Sequence, residues 1–165
     1  MDQYALLLAA TLNAGTVLAI AALGLLINEK AGIVNLGAEG IMLCAAIAGF
    51  ATVVNTGNDW IGFAAGMAAG ALLAAIFGWL VIWLNTNQYA TGLALSLFGV
   101  GFSAFVGIGY VQAKLPERPQ YNWFGLGDIP FIGPALFRHH PLVYGAMLLA
   151  VGLIWFLYRT RGGLV

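Results

Sequence analysis

The chain has 165 residues, of which 62% are hydrophobic and only 7% are charged, and its formal net charge at pH 7 is zero. A soluble domain carries about 25% charged residues because its surface must be hydrated. This composition therefore excludes an ordinary soluble enzyme, a disordered chain and a nucleic-acid-binding protein, and it predicts a protein surrounded by membrane lipid.

Five apolar stretches, taken in chain order, are long enough or nearly long enough to cross a bilayer. A helix needs about 20 mostly apolar residues to cross the hydrocarbon core. Continuous apolar runs rich in Ala, Leu and Gly favour such helices over the alternating strands of a barrel. The predicted fold class is therefore all-α, a polytopic transmembrane helix bundle with a short or broken second span. The predicted spans are residues 5–27, 36–54, 60–84, 89–111 and 141–158.

The connections between these spans differ in length and polarity. Residues 28–35 are short and charged, and two tight turns occupy residues 55–59 and 85–88. The long polar segment 112–140 holds four of the five prolines. Its aromatic middle, residues 121–133, predicts a hairpin-like cap on the membrane surface, with a mobile loop as the alternative. Lys and Arg are divided evenly between the two sides, so charge alone leaves the orientation open.

Small residues recur at intervals of four in the third and fourth predicted spans. Such ridges let helix backbones approach closely, which is how helices associate in lipid. They predict packing positions, within the chain or against a partner subunit, and carry no information about a substrate. The predicted packing residues are Gly62, Gly66, Gly70, Gly78, Gly99, Ser103 and Gly107.

The most informative segment is NEKAGIVNLGAEG, residues 28–40, which places ionisable side chains among glycines between two apolar spans. A carboxylate at membrane depth costs roughly 2.5–3.5 kcal/mol or more, so such residues usually have a function or a partner. Gly32, Gly37 and Gly40 would permit non-helical backbone, which membrane proteins tolerate where it lines a cavity. One interpretation is a broken helix beside a transport pathway. The other is a plain turn, with Glu39 favoured by the helix dipole.

Four separated segments of the chain carry a family resemblance. Residues 29–40 fit the pattern E-[KR]-A-G-[IV]-x-N-[IL]-G-x-E-G. Further along the chain stand NQYATGLALSLFGVGFSAFVG from Asn87, FGLGDIPFIGP from Phe124 and YRTRGGLV from Tyr158. Together, and in this order, they resemble the permeases of ATP-binding-cassette (ABC) importers of the branched-chain amino acid, simple sugar and nucleoside group. The first segment is most similar to the nucleoside and simple-sugar branch.

The resemblance implies a function and a set of partners. It implies a permease subunit that moves a nucleoside or simple sugar across the prokaryotic cytoplasmic (inner) membrane. Its partners would be an ABC ATPase subunit, a second permease subunit and an extracytoplasmic solute-binding (lipo)protein. It also implies that residues 28–35 are cytoplasmic and residues 112–140 external. Members of this family are about twice as long, with eight to ten spans of roughly 20 residues. Residues 1–165 are therefore expected to be the N-terminal part of a single permease domain.

Four polar residues are the candidates for lining the translocation pathway, because amides and a local carboxylate suit an uncharged polar solute. They are Asn35, Glu39, Asn87 and Gln88. Simple helix capping explains Asn87 and Gln88 equally well. No catalytic residue, cofactor or metal site is expected, and the chain contains no Gly-rich phosphate loop.

Two alternatives from other functional classes remain open. One is a small oligomeric channel or scaffold held together by the glycine ridges. The other is an intramembrane enzyme, which is disfavoured because Ser96, Ser103 and Glu39 do not assemble into a known catalytic arrangement.

Overall fold

The computed structural model describes residues 2–115 and 140–160, and within these ranges it contains five α-helices and no strand. The helices are α1 (Asp2–Lys30), α2 (Ala38–Thr56), α3 (Asp59–Gly78), α4 (Gln88–Gly107) and α5 (Pro141–Arg159). A π-helix, Trp79–Trp83, continues α3, and a short 3-10 helix, Ile108–Tyr110, continues α4. The predicted hairpin-like cap at residues 121–133 lies outside the described residues.

Each of the five helices is long and apolar enough to cross a membrane. The prediction of an all-α bundle with five spans is therefore confirmed, and the protein is an integral membrane protein. The first helix extends beyond the predicted 5–27 at both ends. Hydropathy marks only the part of a helix that suits lipid, whereas backbone hydrogen bonding continues into the flanking polar residues.

The chain divides into two compact units. The first, called the central unit, is Ile27–Glu117, and the second, called the terminal unit, combines Met1–Leu26 with Arg118–Val165. Within the terminal unit, α5 begins with Pro141 at its first position, and the Nδ1 atom of His140 accepts the Leu142 N–H at 3.3 Å. Proline suits this position because its missing N–H would have no partner in the first turn.

Helix α2 is the middle helix of the central unit, since it packs against both α3 and α4. It runs antiparallel to α3, because Ala45 lies opposite Gly66 and Gly49 lies opposite Gly62. It runs parallel to α4, because residues near the start of α2 meet Gly92, whereas Ile47 meets Gly107.

Two asparagines set the beginnings of α3 and α4. The Asn58 Oδ1 atom accepts the N–H groups of Trp60 and Ile61, at 2.9 and 3.4 Å. The Asn87 Oδ1 atom likewise accepts the N–H groups of Tyr89 and Ala90, at 3.0 and 3.2 Å. The first turn of a helix has N–H groups without partners inside the helix, and Asn is among the best side chains to satisfy them.

The turn between α3 and α4, residues 84–87, is held by threonine. The Thr86 hydroxyl donates to the Leu80 carbonyl at 2.9 Å and lies 2.9 Å from the Thr91 hydroxyl. Because Thr86 has one hydroxyl proton and gives it to Leu80, Thr91 must be the donor in the second bond. The turn thereby joins the end of the π-helix to the first turns of α4.

Tryptophans at the start of α3 and at the end of the π-helix that continues it give a testable position in the bilayer. Trp60 and Trp83 are 55% and 78% exposed, and tryptophan favours the headgroup region. The 19 steps from Trp60 to Trp79 rise about 28 Å at 1.5 Å per residue, close to the roughly 30 Å of the hydrocarbon core. Trp83 lies four residues beyond Trp79, at the end of the π-helix. In variants of the full-length protein that retain only Trp60 or only Trp83, lipids brominated near the headgroup should quench fluorescence more strongly than lipids brominated deep in the chain.

A tryptophan placed at Leu72, which is 64% exposed near the middle of α3, provides the control for this experiment. It should show the reverse order of quenching. Stronger quenching of Trp60 or Trp83 by deep bromines would contradict this placement of α3.

Candidate functional site

The break between α1 and α2 begins at a glycine in the left-handed region. Gly32 has φ of +77°, its N–H donates to the Glu29 carbonyl at 3.0 Å, and the Ile33 N–H donates to the Asn28 carbonyl at 2.9 Å. This is the Schellman arrangement, in which glycine ends a helix because it adopts a positive φ at little steric cost. The end of α1 is therefore set by hydrogen bonds among neighbouring residues around Gly32.

Residues 31–37, called the signature loop, are non-helical and lead into α2. The Asn35 Oδ1 atom accepts the Gly37 N–H at 2.9 Å, which closes a side-chain turn two residues long. The Val34 N–H donates to the Oε1 atom of Gln88, the first residue of α4, at 3.0 Å. A non-helical connection between α1 and α2 is thus present, and side-chain oxygens accept two of its backbone N–H groups.

Close backbone contact holds the start of α2 against α4. A Cβ at Gly40 would lie 2.5 Å from the Leu95 carbonyl oxygen, and one at Gly99 would overlap the Gly40 backbone. A Cβ at Gly92 would lie 3.0 Å from the backbone nitrogen of Gly37. Because distances under 3.0 Å leave no room for a side chain, this interface requires glycine at Gly40 and Gly99. Gly40 itself is helical, so its role is close approach and not the break.

The four candidate pathway residues fall into three structural situations. Asn35 and Gln88 meet at the signature loop, where their side-chain oxygens accept backbone N–H groups. Asn87 is exposed, and its Oδ1 atom caps α4. Glu39 is also exposed, in the first turn of α2. Three of the four side chains therefore hold local structure, and Glu39 is the one whose polar atoms remain available within the described part of the chain.

The position of Glu39 suits a carboxylate. The N-terminal end of a helix carries partial positive charge, which stabilises a nearby anion by about 0.3–1 kcal/mol at the surface. Glu39 is the second residue of α2 and directly follows the signature loop. Its carboxylate is thus an exposed hydrogen-bond acceptor at the entrance to a transmembrane helix.

The glycines of α3 pack against α2 at three of the four predicted positions. A Cβ at Gly62 would lie 2.9 Å from the Gly49 carbonyl oxygen, one at Gly66 would lie 3.0 Å from the Ala45 carbonyl oxygen, and one at Gly70 would lie 3.5 Å from the Ala45 Cβ. A Cβ at Gly78 would meet no atom within 4 Å.

In α4 two of the three predicted small residues, Gly99 and Gly107, lie next to α2. Gly99 contacts α2, and Gly107 lies beside Ile47. The Ser103 hydroxyl donates to the Val100 carbonyl of its own helix at 3.1 Å. Sequence reasoning missed Gly92, although its spacing of seven residues from Gly99 is a signal for a parallel contact.

An apolar groove of about 220 Å³ lies between the end of α3 and α4. Its polar side chain, Thr91, already bonds Thr86. The groove therefore offers little to a polar solute. Its lining residues are Phe77, Leu80, Thr91, Ala94, Leu95 and Phe98.

The known proteins that this chain resembles are named as ABC transporter permeases. The family described as the permease component of the branched-chain amino acid transport system matches residues 7–165. A putative glucose ABC transporter permease protein, TsgC13, of Haloferax volcanii is 45% identical, over 99% of this chain and 51% of its own. The guanosine ABC transporter permease protein NupQ of Bacillus subtilis is 34% identical, over 94% of this chain and 52% of its own.

A more distant relative is the nucleoside ABC transporter permease protein NupC of Lactococcus lactis, which is 26% identical over 90% of this chain and 50% of its own. The chain thus spans about half the length of these relatives. No solved structure matches it.

Proposed function

Because the chain belongs to the family of permease components of the branched-chain amino acid transport system, we propose that it forms about half of a permease subunit of an ABC importer. The subunit neither makes nor breaks a covalent bond, and ATP hydrolysis occurs in a separate ATPase subunit. A second permease subunit and an extracytoplasmic solute-binding protein complete the assembly in the cytoplasmic membrane. The signature loop faces the cytoplasm.

The proposed solute is a small neutral molecule with a sugar ring, such as a simple sugar or a nucleoside. The named solutes of the relatives, glucose and guanosine, share a sugar ring with neighbouring hydroxyl groups. Hydroxyl groups donate to a carboxylate in hydrogen bonds stronger than those between neutral groups. A pathway with few fixed charges suits a neutral solute, because each buried charge that the solute does not pair costs free energy.

The exposed carboxylate of Glu39 is the observation that carries the pathway assignment. A carboxylate within or beside the bilayer is costly unless it faces water, a partner or a solute. Glu39 lies at the start of α2, next to the break in the chain. We propose that it lines the cytoplasmic part of the pathway and accepts hydrogen bonds from the hydroxyl groups of the solute. Asn35, Gln88 and Asn87 shape that end of the pathway through the backbone groups that they bind.

Uptake of labelled glucose, ribose and guanosine by cells that express the full-length permease with its partner subunits tests this function. The Glu39→Gln variant should lower kcat/KM for the transported solute about tenfold, since a hydrogen bond to a charged group contributes about 1.5–3 kcal/mol. The matched control is Glu29→Gln, an exposed carboxylate in the last turn of α1, which should leave uptake unchanged. Equal losses at both positions, or no loss at Glu39, would contradict the role of Glu39.

A further inference from the structure

The signature loop depends on one side chain from α4 for a backbone hydrogen bond. Residues 33–35 are neither helix nor strand, so no continuing helix or sheet supplies acceptors for their N–H groups. The Ile33 N–H closes the end of α1, and the Val34 N–H donates to Gln88 Oε1 at 3.0 Å across 54 positions of the chain. A backbone N–H left without a partner away from water costs free energy, so this acceptor stabilises one loop conformation.

Hydrogen bonds fix the backbone on either side of Gln88. It follows Asn87, whose side chain makes two hydrogen bonds that fix the first turn of α4. The preceding Thr86 is tied to both Leu80 and Thr91. The backbone from which the Gln88 side chain projects is therefore fixed, which helps to place its acceptor oxygen.

Two further contacts fix the position of the residue that precedes α2. Asn35 Oδ1 binds the Gly37 N–H, and a Cβ at Gly37 would lie 3.1 Å from the Gly92 carbonyl oxygen. Two residues later comes Glu39. The loop is therefore held at Val34 by Gln88 and at Gly37 by the α4 backbone, and Glu39 stands two residues after Gly37.

We propose that Gln88 is a positioning residue that holds the signature loop on α4 and thereby places the Glu39 carboxylate. Its part in transport rests on the proposed function, whereas its effect on the loop does not. Gln88 acts through its side-chain oxygen and contacts no solute. The α3–α4 turn and the signature loop consequently form one structural element at one end of the central unit.

The experiment uses the full-length protein in lipid nanodiscs and measures hydrogen exchange at the Val34 amide. Two variants have a side chain of similar length: Gln88→Met, which removes the acceptor oxygen, and Gln88→Glu, which keeps one. Gln88→Met should speed exchange at Val34 roughly fivefold, as expected for the loss of one ordinary hydrogen bond, and Gln88→Glu should preserve protection. Asn87→Ala, which removes the cap but leaves the Val34 acceptor, should change exchange at Val34 less than Gln88→Met does.

Unchanged exchange at Val34 in Gln88→Met, or equal acceleration in Gln88→Glu, would overturn the assignment. The native monodispersity of each variant on size exclusion separates this local effect from misfolding.

A double-mutant cycle on transport tests whether Gln88 acts through Glu39. Gln88→Met should lower kcat/KM for uptake in the wild-type background and change it much less in the Glu39→Gln background, because residues that act together are not additive. Fully additive losses would overturn the link to Glu39. Absence of any ATP-dependent uptake by the wild-type assembly would instead refute the proposed function, while the exchange result at Val34 would still decide the role of Gln88 in the loop.

Discussion

The Gly99→Ala variant is expected to lose about 2–3 kcal/mol of stability, the upper part of the range for overpacking a close-packed interior. A Cβ at this position overlaps the backbone of Gly40, and backbone atoms cannot rotate away as a side chain would. Helices α2 and α4 must therefore move apart, which also weakens the contacts at Gly37 and Gly92. The measurement is thermal unfolding of the purified full-length protein in detergent.

Gly101→Ala is the matched control for this substitution. Gly101 lies two residues further along α4, and a Cβ there would meet no atom within 4 Å. Alanine favours a helix over glycine by about 1 kcal/mol, so this variant should be as stable as the wild type or more stable. If both variants lost the same stability, close contact between α2 and α4 at Gly99 would be refuted.

The Gly62→Ala variant is expected to destabilise the contact between α2 and α3 by about 2 kcal/mol, again because of overpacking. The added Cβ would lie 2.9 Å from the Gly49 carbonyl oxygen and would also overlap the Val53 side chain. Val53 could adjust, but the carbonyl oxygen is part of a helix and cannot. Limited proteolysis and thermal unfolding of the full-length protein both measure this loss.

The control for Gly62 is Gly78→Ala on the same helix. Gly78 belongs to the same series of small residues in the sequence, yet a Cβ there meets no atom within 4 Å. Its substitution should leave stability unchanged or raise it, since alanine favours a helix over glycine by about 1 kcal/mol. A loss at Gly78 equal to that at Gly62 would show that the sequence spacing, and not the contact with α2, determines sensitivity.

Much of the fold was predictable because it depends on local chemistry. Long apolar runs must form helices in lipid, where each backbone group needs a partner within its own segment. The ends of the helices follow from Asn58, Asn87 and Gly32, whose preferences act over a few residues. The five spans and the break at residues 31–37 are the direct result.

The candidate site was only partly predictable. The sequence pointed to the signature loop and to Glu39, and the assignment of pathway residues stays a prediction. The sequence did not reveal that the Gln88 side chain accepts a hydrogen bond from the Val34 backbone, because the two residues are 54 positions apart. An amide side chain serves equally well as a cap, a loop anchor or a pathway group, and residue type alone does not distinguish these uses.

The sequence by itself determined that this is a membrane protein, that five of its segments suit a membrane span, and which family it resembles. The scarcity of charge and the length of the apolar runs suffice for the membrane location and the spans, since lipid imposes simple conditions on composition. The family resemblance instead rests on separate motifs, above all residues 29–40. Only the tertiary structure decided which small residues form contacts, selecting Gly40, Gly92 and Gly99 for α2 and α4 while leaving Gly78 open. The physical reason is that lipid and a neighbouring helix are equally apolar, so hydropathy does not show which face of a membrane helix is packed.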